Sequence, residues 1–191
     1  MSLVIPPNHR EGELGVMPAL EISQDQCKEI INLHTDTQNP HRQSKVQKSD
    51  SNVVNISQRD TDVWVIHENN KWVDALICTA AVSANQTFEL NLSGLVERPQ
   101  LLRYKAPSNG YDWHMDIGRG DHSNRKISIS ILLNDDYEGG ELSFFVTGEK
   151  AIKPDAGMAV AFPSFLPHRV CPVTKGERWS LVCWIAGEPF R

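Results

Sequence analysis

From residue 100 onward the chain breaks into short runs of strand character: LLRYK, DWHMDI, KISISILLN, ELSFFV, EKAIK, MAVAF, HRVCPV and RWSLVCWI. Turn formers separate them, in PSNG, GRGD, NDDYEGG, VTGE, KPDAG, PSFLP and TKGE. Short strands at this spacing build a sandwich or a barrel rather than parallel βαβ units. KISISILLN alternates with a period of two, so Ile127, Ile129, Ile131 and Leu133 share one face. Ser128, Ser130 and Leu132 share the other. That small, polar face either lines a cavity or meets water, and the pattern leaves both readings open.

The N-terminal half reads differently. Its first twenty residues are irregular, with a proline pair at Pro6–Pro7. Ser23 followed three positions later by Gln26 is a capping-box pair. Cys27, Ile30, Ile31 and His34 follow at helical spacing, which predicts a helix over about 24–35 with His34 packed or hydrogen-bonded at the core edge. Residues 36–62 are polar and mostly aperiodic, too long for a plain connector, and suggest a lid, a recognition loop or a disordered segment. A second helix is expected around 68–85, where Trp72, Ala75, Leu76, Thr79 and Val82 keep one face. TFELNLSGL then alternates at Phe88, Leu90 and Leu92, as a strand does.

With 191 residues, the chain is long enough for one domain with a sizeable core. A formal charge of −5 and a pI near 5.8 argue against a nucleic-acid surface, which wants a basic footprint. No stretch approaches the length of a membrane span, and the N-terminus does not read as a secretory signal. Cys27, Cys78, Cys171 and Cys183 form no CxxC pair and read as buried free thiols, so a cytoplasmic location is expected. His9, His41 and His67 lack partner spacing and read as solvated or locally bonded. His122 reads as exposed, and TKGE as a hairpin turn. Arg125 faces either a site or solvent, and Trp113 either the site or the core.

Chemistry concentrates in two places. In YDWHMDIG, His114 and Asp116 are two apart, so on a strand they project from one face and can offer an imidazole nitrogen and a carboxylate oxygen to one point. An HxD pair alone is weak evidence. Far downstream, FLPHRVCPVTKGERWSLVCWI supplies His168 and, ten residues later, Arg178. Two histidines and a carboxylate form the facial triad that holds Fe(II) with positions left open. An arginine fork can grip the far carboxylate of an anionic chelating ligand through two parallel hydrogen bonds.

His114, Asp116, His168 and Arg178 together resemble the HxD…H…R signature of the iron(II)- and 2-oxoglutarate-dependent dioxygenases, in the prolyl 4-hydroxylase-like branch. The resemblance runs from Tyr104 to Trp184 and includes GGEL at 139–142 and the closing block AFPSFLPHRVCPVTKGERWSLVCW at 161–184. It implies a mainly β (α+β) fold, a double-stranded β-helix or jelly roll, in one domain over 1–191. Residues 1–97 would give helical support and the polar loop, and 98–191 the jelly-roll catalytic core. It further implies His114, Asp116 and His168 as metal ligands. Arg178 would bind the C5 carboxylate of 2-oxoglutarate with Tyr104 assisting, while Tyr111 and Trp184 would stand at the substrate side. One departure concerns Leu132, at a position that aligns with a co-substrate-binding tyrosine in oxygen-sensing prolyl hydroxylases; Ser128 or Ser130 would have to substitute.

The implied cofactors are Fe(II), 2-oxoglutarate and O2, with ascorbate as a candidate reductant. The implied reaction hydroxylates an unactivated C–H, with release of succinate and CO2. A peptidyl prolyl residue on a peptide or protein is the preferred substrate, with neither nucleic acid nor membrane as partner. The alternatives are hydroxylation of a small molecule or free amino acid, and a non-catalytic metal-binding jelly roll. Retention of Arg178 speaks against the latter.

Overall fold

The computed structural model describes residues 15–44, 60–95 and 97–188. Its strands, in chain order, are β1 (Met17–Glu21), β2 (His41–Ser44), β3 (Thr61–Val65), β4 (Leu92–Leu95), β5 (Gln100–Lys105), β6 (Tyr111–His114) and β7 (Arg125–Leu132). They continue as β8 (Glu138–Gly139), β9 (Leu142–Phe145), β10 (Glu149–Ile152), β11 (Met158–Pro163), β12 (His168–Val170), β13 (Val173–Lys175) and β14 (Glu177–Gly187). An eight-stranded sheet runs β1-β11-β7-β14-β5-β3-β2, with β4 added to β14. Across from it lies a four-stranded sheet, β10-β9-β12-β6, and a two-stranded ribbon joins β13 to β8.

Two apolar clusters divide along the faces of the large sheet. Ile127, Ile129 and Ile131 of β7 and Leu181, Cys183 and Ile185 of β14 pack toward α1 (Gln24–Asn32) and α2 (Lys71–Phe88). α2 brings Val73, Ile77, Ala80, Ala81 and Ala84 to that face. Leu102, Tyr104, Val160 and Phe162 point the other way and meet Leu142, Phe144 and Val170 of the small sheet. The chain is therefore a β-sandwich of jelly-roll type with helices on the back of its larger sheet.

The open question about KISISILLN is thereby answered: Ser128 and Ser130 face inward and line a cavity between the sheets. Ile131 is fully buried on the opposite face. An Ile131→Ala variant is expected to lose about 2–5 kcal/mol of stability, read as a lower midpoint in urea unfolding.

Several expectations are corrected at the N-terminal side. The Ser23–Gln26 capping box is present, and α1 ends at Asn32 in a 3-10 turn over Leu33–Thr35. Phe88 closes α2 instead of opening a strand. Asn85 caps the helix end by bonding both the N–H and the C=O of Leu90, and Glu89 turns to φ +51°. The strand is left with Leu92–Leu95. The segment around Pro18 is a strand on the edge of β11, where a missing N–H is tolerated. Residues 1–97 thus contribute β1–β4 to the large sheet as well as helices.

The polar segment 36–62 begins and ends in paired strands, β2 and β3. Its centre, 45–59, lies outside the described residues, as does His9. TKGE is a crossover rather than a hairpin, because β13 and β14 belong to different sheets. The thiols are free, but only Cys27 and Cys183 are buried, and burial pushes both upward in pKa. Cys78 is exposed and Cys171 half-buried. Among the described residues no helix is long and apolar enough to cross a membrane.

Candidate metal and co-substrate site

Antiparallel pairing sets the first two site residues. His168 of β12 stands directly opposite His114 of β6, and directly opposite residues on one face bring their side chains within reach. The ring centroids are 4.1 Å apart. Each Nδ1 faces a main-chain carbonyl two residues back, Asp112 at 2.8 Å from His114 and Leu166 at 2.9 Å from His168. An Nδ1–H donated to a carbonyl fixes the tautomer that leaves the Nε2 lone pair free for a metal.

Asp116 arrives by a different route from the one its spacing suggested. β6 stops at His114, and the chain beyond it turns so that the Asp116 and Ile117 N–H groups both donate to the Ser164 carbonyl, at 2.9 and 3.1 Å. That anchor, rather than strand pleating, aims the carboxylate at the imidazoles. Oδ1 lies 3.7 Å from His114 Nε2, and Oδ2 lies 3.5 Å from His168 Nε2. Ligand atoms of all three residues fall within 4.8 Å of one another. Ser128 Oγ donates to Oδ2 at 2.6 Å and lies 3.0 Å from Ser164 Oγ. Burial raises the Asp116 pKa, but the His168 and His114 imidazoles, then Ser128 and the Trp184 indole, outweigh it, so the carboxyl is held below its usual range. Two imidazole nitrogens and one ionised carboxylate, converging in this way, fit a 2-His-1-carboxylate metal centre.

Arg178 belongs to the same cavity, which has a volume of about 490 Å³ including its open mouth. The arginine is 3% exposed. Its Nε donates to Gly140 O at 2.9 Å and its Nη1 to Ser180 Oγ at 2.9 Å. The Tyr137 hydroxyl is a third partner; burial raises that phenol's pKa, and the guanidinium offsets part of the rise. Donors beyond those bonded to Gly140 and Ser180 are what a carboxylate in the cavity would take. Tyr104 pairs with Arg178 across β5 and β14, with its ring 5.7 Å from the guanidinium carbon.

Gly140 makes room for this arrangement. Its φ is +68°, and a Cβ there would lie 2.9 Å from Arg178 Cδ and 3.0 Å from the Tyr137 ring.

Tyr111 and Trp184 also line the cavity, as does Ser130. Tyr111 stacks on the His114 ring at 3.6 Å. Leu132 is buried in the apolar cluster between the sheets, together with Leu102, Tyr104 and Phe162 of the cavity wall. Ser128 is committed to Asp116, which leaves Ser130 as the cavity-facing hydroxyl of β7. Trp113 points away from the site, toward Phe145 at 6.0 Å and Arg169 at 5.0 Å. His34 bonds Ile31 O and packs on Trp64 and Trp179, while His41 pairs with Asp62. Sequence reasoning missed Tyr137, Ser164 and Ser180; each is a partner of a site residue, and no spacing rule marks such partners.

A jelly roll that gathers two imidazoles, a carboxylate and a buried arginine around one cavity defines a class, that of the 2-His-1-carboxylate metal proteins. Comparison with known proteins narrows it. Residues 99–186 match the family model of the 2OG-Fe(II) oxygenase superfamily. A PKHD-type hydroxylase of Synechococcus sp. (strain CC9902) is 41% identical over 88 residues, 44% of this chain and 40% of that protein. One of Psychrobacter sp. (strain PRwf-1) is 31% identical over 140 residues, 68% of this chain and 54% of that protein. The chain spans about half the length of the curated relatives it matches.

Among solved structures, a Pseudomonas putida prolyl-4-hydroxylase has a TM-score of 0.68 at 24% identity, covering 91% of this chain and 93% of that one. A prolyl hydroxylase from Trichoplax adhaerens, in complex with a hypoxia-inducible-factor peptide fragment, has a TM-score of 0.67 at 16% identity, covering 90% and 82%. These two share the double-stranded β-helix fold. Residues 99–186 thus match the 2OG-Fe(II) oxygenase superfamily, and the relatives similar to this chain carry the name PKHD-type hydroxylase.

Proposed function

We propose that this chain is an Fe(II)- and 2-oxoglutarate-dependent hydroxylase acting on a peptidyl prolyl residue. The observation that carries the reading is the joint presence, in one cavity, of the His114–Asp116–His168 cluster and of the buried Arg178. A bare metal site has no use for a buried carboxylate clamp, and a co-substrate with carboxylates at both ends needs a partner at each.

His114, Asp116 and His168 would hold the metal on one side and leave its remaining positions facing the cavity. Bound there, Fe(II) supplies the O2 activation by which 2-oxoglutarate becomes succinate and CO2 while one oxygen atom enters a substrate C–H bond. Arg178 would take the C5 carboxylate, with the Tyr104 ring beside the guanidinium. Val182, Phe162 and Leu142 line the same space and would keep water from the reacting atoms. The names of the relatives, PKHD-type hydroxylases and prolyl hydroxylases, support a prolyl substrate.

The test supplies Fe(II), 2-oxoglutarate and a panel of proline-containing peptides, with and without ascorbate as reductant. Peptide-dependent succinate release, and a product heavier by one oxygen atom on proline, are the expected results. Turnover with free amino acids but no peptide would move the substrate to a small molecule. Stoichiometric metal binding without any succinate would sink the enzymatic reading.

A further inference from the structure

Arg125 sits at the start of β7, 7% exposed, and makes three contacts that converge on the metal cluster. Its guanidinium forms a two-pronged ion pair with Glu97, in the connector between β4 and β5. Nη1 donates to the main-chain carbonyl of Asp116 at 3.0 Å. The guanidinium carbon lies over the Trp184 ring, 3.8 Å from the ring centroid. Trp184 lines the same cavity as Asp116. Arg125 therefore holds the Asp116 backbone directly and packs on an aromatic wall of the site.

We infer that Glu97 and Arg125 form a clasp that positions Asp116 for metal binding, with Arg125 a positioning residue that acts through the Asp116 carbonyl while packed on Trp184. The inference rests on the triad reading above. A buried guanidinium is costly without a carboxylate partner. Glu97 meets that need and fixes the fork, so the guanidinium carbon sits over the indole while a third donor reaches the Asp116 carbonyl. Without Glu97, the guanidinium gains by turning toward water, and its hold on the Asp116 carbonyl relaxes. Lysine cannot replace it, because an ammonium neither stacks on an indole nor spans the fork geometry.

The experiment titrates the metal-free protein with Co(II), reading affinity and the ligand-field absorption spectrum, for wild type, Glu97→Gln, Arg125→Lys and Asp74→Asn. Asp74→Asn breaks another two-pronged pair, Arg98–Asp74, with both bonds at 2.9 Å, which touches none of the three ligand side chains. Loss of partners that orient a metal ligand costs roughly 10–100-fold in metal affinity. Glu97→Gln and Arg125→Lys are expected to weaken Co(II) binding about tenfold or more and to shift the spectrum, while Asp74→Asn stays within about twofold of wild type. Folding is checked by circular dichroism; should Glu97→Gln fail to fold, Arg125→Lys carries the same expectations with the charge retained. Wild-type affinity and spectrum in either folded clasp variant, or an equal loss in Asp74→Asn, would overturn the inference. Absence of a stoichiometric Co(II) site in the wild-type protein would instead overturn the triad reading beneath it.

Discussion

Asp116→Ala is expected to eliminate stoichiometric Fe(II) or Co(II) binding and, with it, all succinate release. Asp116 is the only carboxylate in the cluster, and its geometry is supported from several directions: by Ser128 on Oδ2, by the Ser164 carbonyl on its backbone, and by the indole of Trp184. Without it two neutral imidazoles face each other with no negative charge to hold a divalent cation. Asp116→Asn is the more stringent variant, because an amide keeps the shape and can still accept from Ser128 while losing the charge. Both variants should fail equally; a turnover-competent Asp116→Asn would sink the site assignment.

Arg178→Gln is expected to separate the two halves of the site. Truncating one partner of a buried, hydrogen-bonded charge pair costs about 2–5 kcal/mol, which is roughly 30-fold or more in affinity for 2-oxoglutarate. Metal binding should survive, since Arg178 is not a partner of any of the three ligands. Arg178→Lys should not restore co-substrate affinity, because an ammonium cannot match the fork. Gly140→Ala should move in the same direction by a smaller amount, as its methyl would displace Arg178 Cδ and the Tyr137 ring. The measurement is the KM for 2-oxoglutarate at saturating metal, set beside the metal affinity. A simultaneous loss of metal binding would show that Arg178 acts on the cluster rather than on the co-substrate.

Much of this site is legible in the sequence because it is written in strand periodicity. The face shared by Ser128 and Ser130, the opposite face of isoleucines, and the projection of Arg178 and Trp184 from one side of β14 follow from a period of two. What a period cannot encode is partnership across the fold. Asp116 lies beyond the end of its strand and owes its aim to Ser164, which only the folded chain brings near. Arg125 is unremarkable until Glu97 and Trp184 come together around it. Phe88 and Leu90 keep a strand-like alternation, yet Asn85 ends a helix there by bonding both backbone groups of Leu90. Polar His41–Ser44 is a strand because β3 offers it an edge, not because its residues favour one. Leu132 shares the parity of Ser128 and Ser130 and is buried in the apolar cluster between the sheets.

The two central strands have a wider consequence. Ile127, Ile129 and Ile131 of β7 and Leu181, Cys183 and Ile185 of β14 pack against the helices, while even positions such as Ser130, Ser180 and Val182 furnish the cavity. Stability and chemistry are thus written on alternate letters of the same two words. A lineage of such proteins can re-spell the even letters to admit a different side chain, leaving the odd ones, and the capacity to fold, untouched.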